Sequence, residues 1–327
     1  MREKKHSSPD QIVLVTGASG FIGKALCQAL LAVGHSVRGG TRSETAMEAL
    51  GHDGQSLNQG RIPLTEKGRW IGVGDIGPDT EWSGPLSGVT TVVHLAAQTQ
   101  TADEGTLDSL AEFRRVNVSG TERLARSAVA SQVRRLIFVS SAKVNGEATG
   151  LCPDGRCQKF SEKDTPNPRD DYALSKWEAE KVLRRIEDES GLEVVIIRPP
   201  LVYGPGVRGN FLRLIRIVQL GAPIPLARAK NRRSFVFVGN LVDAIVTCVS
   251  HPKAAGKTFL VSDGEDVSTP ELIRLIASAL DRKPRLIPVP LPLIYLVSKL
   301  TGKSADLNRL VESLVLDSSL IEAELGW

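Results

Sequence analysis

Thr16-Gly17-Ala18-Ser19-Gly20-Phe21-Ile22-Gly23 lies between an apolar run, Ile12 to Val15, and a segment in which apolar residues recur at three and four. A strand, three spaced glycines and a helix in that order predict a dinucleotide site. Gly17 permits a tight turn, Gly20 lets a pyrophosphate approach the N–H groups at the helix N-terminus, and Gly23 lets the helix pack closely on the strand. Ser19, Phe21 and Ile22 complete the turn and are expected to line the cofactor.

Outward from this turn, strand-like runs alternate with helical patterns, the signature of an α/β, Rossmann-type doubly wound parallel sheet. The strands expected are Ile12 to Thr16, Ser36 to Gly39, Trp70 to Val73, Thr91 to Leu95, Arg135 to Ser140 and Glu193 to Arg198. Nearly all are apolar, as strands covered on both faces should be. Helices are expected at Phe21 to Val33, Leu107 to Ser131 and Tyr172 to Ser190.

After Arg198-Pro199-Pro200 the elements shorten, so residues 11–198 are assigned to the dinucleotide-binding domain and 199–327 mainly to a smaller C-terminal α/β substrate lobe. That lobe is expected to hold helices at Phe211 to Leu220, Asn240 to Ser250 and Thr269 to Leu280, the last capped by Ser268, and a strand at Phe235 to Val238. Residues 257–262 are expected to return to the main sheet, and residues 1–10 to be disordered.

The chain has 327 residues, 41% hydrophobic and 24% charged, the balance of a soluble globular protein, and its net charge of +4 is spread out. Nucleic acid is therefore not expected as a partner. No run approaches the roughly 18 apolar residues of a membrane span. The nearest, Leu286 to Leu300, is broken by Pro288, Pro290 and Pro292 and reads as a turn into a buried helix. Cys27, Cys152, Cys157 and Cys248 lack the spacing of a disulfide framework, which fits a reducing, cytoplasmic setting. Cys152 and Cys157 read as a surface loop and not as a metal site, since no second Cys or His pair lies nearby.

In NAD-binding folds an acidic residue about 20 positions on takes the ribose hydroxyls, whereas an arginine accommodates a 2′-phosphate. Here the second strand ends Arg38-Gly39-Gly40-Thr41-Arg42, and no acid precedes Glu44. Arg42 favours NADP over NAD, unless it is a solvated loop residue. Asp75, followed by Ile76 at the end of the third strand, could face the adenine or simply form a turn.

Tyr172 and Lys176 stand four apart on one helix face, where an ammonium would favour the phenolate and make Tyr172 usable for proton transfer. Ser141 ends the fifth strand, where parallel sheets present ligands, and could bind the oxygen that Tyr172 protonates; Ser140 is its neighbour. His94 also ends a strand and reads as a packed, hydrogen-bonded histidine.

Together TGASGFIG (16–23), HLAAQ (94–98), NVSGT (117–121), VSSAKVNG (139–146), YALSK (172–176) and RPPLVYGPG (198–206) resemble the extended short-chain dehydrogenase/reductase family, most closely its nucleotide-sugar epimerases and 4-keto-sugar reductases. The resemblance implies Ser141, Tyr172 and Lys176 as the catalytic set, supported by Asn117. It also implies that Leu95, Ala96, Ala97 and Pro199 lie along the cofactor, with Tyr172 and Lys176 at the nicotinamide end. Asn210, Phe211 and Arg233 would surround the UDP, and Arg309 would reach its pyrophosphate. Pairing through the helices from Leu107 and from Tyr172 would make a homodimer. The chain departs from the family at Asn145, where relatives often have Tyr, at Ser234, where they often have Asp, and in the CPDGRC insertion (152–157).

Three activities compete. A redox-neutral 4-epimerase of a UDP-hexose or UDP-N-acetylhexosamine comes first. An NADPH-dependent reductase of a UDP-4-keto-6-deoxy-sugar in surface polysaccharide synthesis comes second, and a non-catalytic NADP-binding redox sensor or scaffold third.

Overall fold

The computed structural model describes residues 11–42, 67–99, 107–150, 158–300 and 304–327. The expectations for residues 1–10, Glu44, Cys152 and Cys157 lie outside them. Seven parallel strands form the main sheet: β1 (Ile12–Thr16), β2 (Ser36–Thr41), β3 (Gly68–Gly72), β4 (Thr91–His94), β5 (Arg135–Val139), β6 (Glu193–Arg198) and β9 (Thr258–Leu260). Their spatial order is β3-β2-β1-β4-β5-β6-β9, so the order reverses between β1 and β4, where such sheets open a crevice at their carboxyl ends. A separate parallel pair, β7 (Leu201–Tyr203) and β8 (Phe235–Phe237), lies outside the main sheet.

The strands read as continuous apolar runs because alternate residues enter different layers. Val13, Val15, Ile137, Val139, Val195 and Ile197 face α1 (Phe21–Ala32), α7 (Val238–Ser250) and α11 (Ser319–Leu325). On the other face Leu14, Val92, Leu136, Phe138, Val194 and Ile196 pack with Trp82 and Leu86 of the α2 region (Ser83–Leu86), α4 (Gly120–Ala130) and α5 (Asp171–Ser190). Helix α7 thus lies under the main sheet although it follows residue 199 in the chain. A smaller core of Val218, Ile224, Leu226, Ile273, Ala277 and Leu307 joins α6 (Gly209–Gln219), α8 (Thr269–Ala279) and α10 (Ser304–Val311).

Two expectations require correction. The single helix read from Leu107 to Ser131 is α3 (Leu107–Phe113), a π-helical stretch (Arg114–Ser119) and then α4. The wider turn brings the buried Asn117 inward, where its side chain bonds the backbone of Gln98 at 2.8 and 3.0 Å, and apolar periodicity is blind to it. The helix after Leu286 also forms, as α9 (Leu291–Leu300), yet it is not buried: Leu293, Leu296 and Leu300 are 55%, 57% and 79% exposed. Only the side bearing Ile294 meets the small core: Pro288 and Pro290 keep the chain out of a helix until Leu291, and Pro292 is accommodated in the first turn.

Candidate active site

The glycine turn takes the form its residues demand. Gly17 has φ +67°, and a Cβ there would stand 3.0 Å from the Ala96 nitrogen. A Cβ on Gly23 would meet the Gly17 carbonyl at 2.2 Å, so only glycine lets α1 start this close to β1. Gly20 begins α1 with no side-chain cap, and the first turn holds no acidic residue. Its forward N–H groups and the exposed Ser19 and Gly20 form a cradle suited to a diphosphate, and a nicotinamide dinucleotide fits these residues. Leu95, Ala96 and Ala97 follow β4 half-buried beside Gly17, and the Ala96 N–H is held by the Thr16 hydroxyl at 3.2 Å.

At the outer end of the crevice Arg42 Nε and Asp75 Oδ1 stand 3.7 Å apart, both largely exposed. They follow β2 and β3. Ile76 meets α4, where a Cβ on Gly120 would come within 2.7 Å of it.

Ser140 and Ser141 separate clearly. Ser140 is buried and donates to Glu180 Oε1 at 2.5 Å, which consumes its hydroxyl in packing. Ser141 is half-buried, accepts a bond from the Lys143 N–H at 3.2 Å, and faces a cavity of about 540 Å³. The same cavity is walled by Asn210, Phe211 and Arg233, the residues expected around the sugar nucleotide. Asn210 lies inside α6 and does not cap it, since Arg208 holds that position. Arg233 donates to the Glu312 carbonyl at 3.1 Å, and neighbouring Arg232 turns away to Glu271 at 2.9 Å. Arg309 belongs to α10, but its side chain lies outside the described residues.

Tyr172 and Lys176 occupy the first turns of α5, whose start is capped by Asp170 accepting the Ala173 N–H at 2.7 Å. The Tyr172 ring meets Phe113 edge-on at 6.1 Å. Lys176 is buried with its ammonium 3.8 Å from the centre of the Phe138 ring. Ser175, between them, receives a bond from Asn117 Nδ2 at 3.0 Å, so the π-helical stretch braces the turn that carries both residues.

Here the structure departs from the expectation that Lys176 lowers the phenol's pKa. Burial, aided by the Asp170 carboxylate, pushes Tyr172 up to about 12. Burial also brings Lys176 down to about 7, partly offset by Glu180, so part of the charge that would favour phenolate is gone near neutrality. His94 matches its reading: Nδ1 bonds Thr16 Oγ1 at 2.7 Å, Nε2 bonds Thr121 Oγ1 at 3.0 Å, and burial with the nearby Lys176 holds it near 3.

Two departures from the family pattern are structural. Asn145 accepts from Arg198 at 2.9 Å and donates to the Ser161 carbonyl at 2.9 Å, completing a buried Arg198–Glu180 ion pair. Ser234 donates to Asp266 and accepts from the Leu316 N–H. Apolar spacing did not reveal the ring cluster of Tyr203, Phe211, Phe235 and Phe237, with centroids 5.7 to 6.5 Å apart, beside the cavity.

Residues 13–262 match the model of the NAD dependent epimerase/dehydratase family. The chain is 43% identical over 318 residues to a UDP-glucose 4-epimerase of Vibrio cholerae, covering 96% of this chain and 90% of that protein. It is 31% identical over 277 residues to a UDP-glucose 4-epimerase of Mycolicibacterium smegmatis, covering 81% and 82%. Among solved structures, the UDP-glucuronic acid 4-epimerase from Bacillus cereus in complex with NAD superposes with a TM-score of 0.74 at 22% identity, covering 97% of this chain and 93% of that one.

Proposed function

Because the chain belongs to the NAD dependent epimerase/dehydratase family, we propose that it is an NAD-dependent nucleotide-sugar 4-epimerase acting on a UDP-hexose or UDP-N-acetylhexosamine. The observation that carries this reading is the cavity in which Ser141 shares a wall with Asn210, Phe211 and Arg233; Tyr172 and Lys176 do not line it, but its wall residue Lys143 bonds the Asp170 cap of the helix that holds both.

NAD, when bound, supplies the capacity to take up a hydride at C4 and give it back. The chain does the rest. Arg233 and Asn210 hold the nucleotide diphosphate at one end of the cavity, and Phe211 packs beside them. Ser141 bonds the C4 oxygen, fixing it for Tyr172, which takes the hydroxyl proton and later returns it. Lys176 holds the ribose hydroxyls and, when protonated, supplies the positive charge that a phenolate needs. Asp75 and Ile76 bound the adenine end. Arg42, already facing Asp75, would favour a 2′-phosphate; that NADP preference rests on this side chain alone, and the NAD reading has the wider support.

The protein would work as a homodimer through α3, α4 and α5, in the cytoplasm, where the buried free thiols of Cys27 and Cys248 are at home. Among the described residues no helix is long and apolar enough to cross a membrane. The test is incubation with UDP-glucose, UDP-galactose, their N-acetyl analogues and 4-keto derivatives, following sugar products and absorbance at the reduced-nicotinamide band. Interconversion of C4 epimers without net absorbance change supports epimerisation; stoichiometric consumption of NADPH on a 4-keto sugar would replace it with the reductase reading.

A further inference from the structure

Lys143 is absorbed by no role so far. It sits two residues after Ser141, at the first turn beyond β5, and lines the same cavity. Its ammonium bonds the Asp170 carboxylate and lies 3.2 Å from Glu147. Asp170 in turn uses its other oxygen to cap α5, two residues before Tyr172. A chain of contacts therefore runs from the Ser141 hydroxyl, through the Lys143 N–H and side chain, to Asp170 and the start of the tyrosine helix.

We propose that Lys143 is a positioning residue, which clamps the Ser141 turn to the cap of the Tyr172 helix and neutralises the capping carboxylate two residues before Tyr172. This rests on the epimerase reading for its purpose, though not for its geometry. The Ser141 turn and α5 are joined across the chain segment between residues 147 and 170, part of which lies outside the described residues. Besides Lys143, the described residues tie this turn down through the Asn167 N–H to the Val144 carbonyl at 2.9 Å and, further along α5, through Ser140 to Glu180 at 2.5 Å. Losing the ammonium would loosen one side of the site and leave an anion beside a group that must become anionic.

The phenol is surrounded by charged and titratable groups from several elements. Its own helix brings the cap Asp170, then Asp171 and Lys176, the turn after β5 brings Lys143 and Glu147, α3 brings Glu112 next to Phe113, and the π-helical stretch brings Arg115 and Arg114, the latter held to Glu178 at 2.6 Å. His94 of β4 is neutral above pH 3. Among these, Asp170 is the carboxylate that raises Tyr172, which is the charge Lys143 opposes.

The experiment is a tyrosinate absorbance titration of the NAD-loaded protein. The chain has three tyrosines, so each variant is read against its own Tyr172→Phe counterpart to isolate the one phenol. Lys143→Met should move that phenol to higher pH by about one unit, the size expected when a close charge is uncovered. Asp170→Asn keeps the cap, because asparagine caps as well as aspartate, and should move it the opposite way. Lys143→Arg should restore the wild-type value, and the acid limb of kcat, where the phenolate that takes the C4 proton becomes protonated, should follow each shift. A residue that merely holds the fold would not produce shifts of opposite sign. Unshifted titrations in both variants, shifts in one direction, or failure of arginine to restore the value would overturn the proposal. The titration needs no sugar, so if no UDP-sugar is turned over the epimerase reading falls while the clamp is still judged.

Discussion

Arg135 begins β5 and Phe138 nearly ends it, and each end of this one strand holds a buried cation. At the amino end the Arg135 guanidinium bonds Glu193 at 2.7 Å and the carbonyls of Cys248, Val249 and His251 at 2.6, 3.2 and 2.9 Å. These are the last carbonyls of α7 and the residue beyond it, where a helix welcomes positive charge. At the carboxyl end Lys176 stands over an aromatic face, and burial has brought it down to about 7. The saturated cation is committed to the fold, whereas the one with a softened charge remains adjustable and stands where the sheet opens. Burial of a charge is thus no guide to function until its partners are counted.

The largest effect that would break this contrast lies at the carboxyl end. Tyr172→Phe should lower turnover by about 10²–10⁴ through loss of proton transfer, with NAD binding and the melting curve unchanged. Near-normal turnover in that variant would remove Tyr172 from the chemistry. At the amino end the expectation reverses. Arg135→Met takes its donor from the Cys248 and His251 carbonyls, while Glu193 keeps Arg134 at 3.0 Å, and should cost about 3 kcal/mol in urea unfolding, with kcat of the folded fraction intact.

Lys176→Met should change stability by an amount set by pH, because methionine keeps the packing on Phe138 while discarding the charge. The folded-state value of about 7 lies below the ordinary 10.5, so between them the unfolded chain binds more protons and wild-type stability rises with pH. Below about 7 the penalty of burying the ammonium is present in full. The methionine variant should therefore be the more stable at pH 6, and its advantage should shrink as pH climbs toward 10. Melting temperatures of the apoprotein across that range check this, and an advantage that grows with pH would contradict the burial account.

The readable parts of the molecule were those set by local sterics and short periodicity. Gly17 and Gly23 declare themselves because a Cβ at either position collides with backbone, and Ser268 because it completes a capping box with Glu271. Ser141 is legible from its place at the carboxyl end of β5, whereas Asn210, Phe211 and Arg233, which share its cavity, follow from motif resemblance and not from spacing. What stayed hidden depends on partners distant in sequence. The Arg135 carbonyl acceptors lie beyond residue 247, and the Lys143–Asp170 contact spans the CPDGRC insertion. Asn145 stands in the sequence only as a departure from the family pattern because its partners, Arg198 and Ser161, are contributed by other segments. The π-helical stretch escaped for a different reason: one wider turn shifts the phase of a helix without changing its composition.

The central claim is that the hydrogen at C4 leaves and returns within one binding event, beside Tyr172 and shielded from water. UDP-glucose deuterated at C4 tests it directly, with the wild-type enzyme in ordinary water and mass spectrometry of the epimerised product. Retention of the deuterium at C4 of UDP-galactose is the expected result. Replacement by solvent hydrogen would contradict the account, since the proton chemistry assigned to Tyr172 concerns the C4 oxygen and never the C4 carbon.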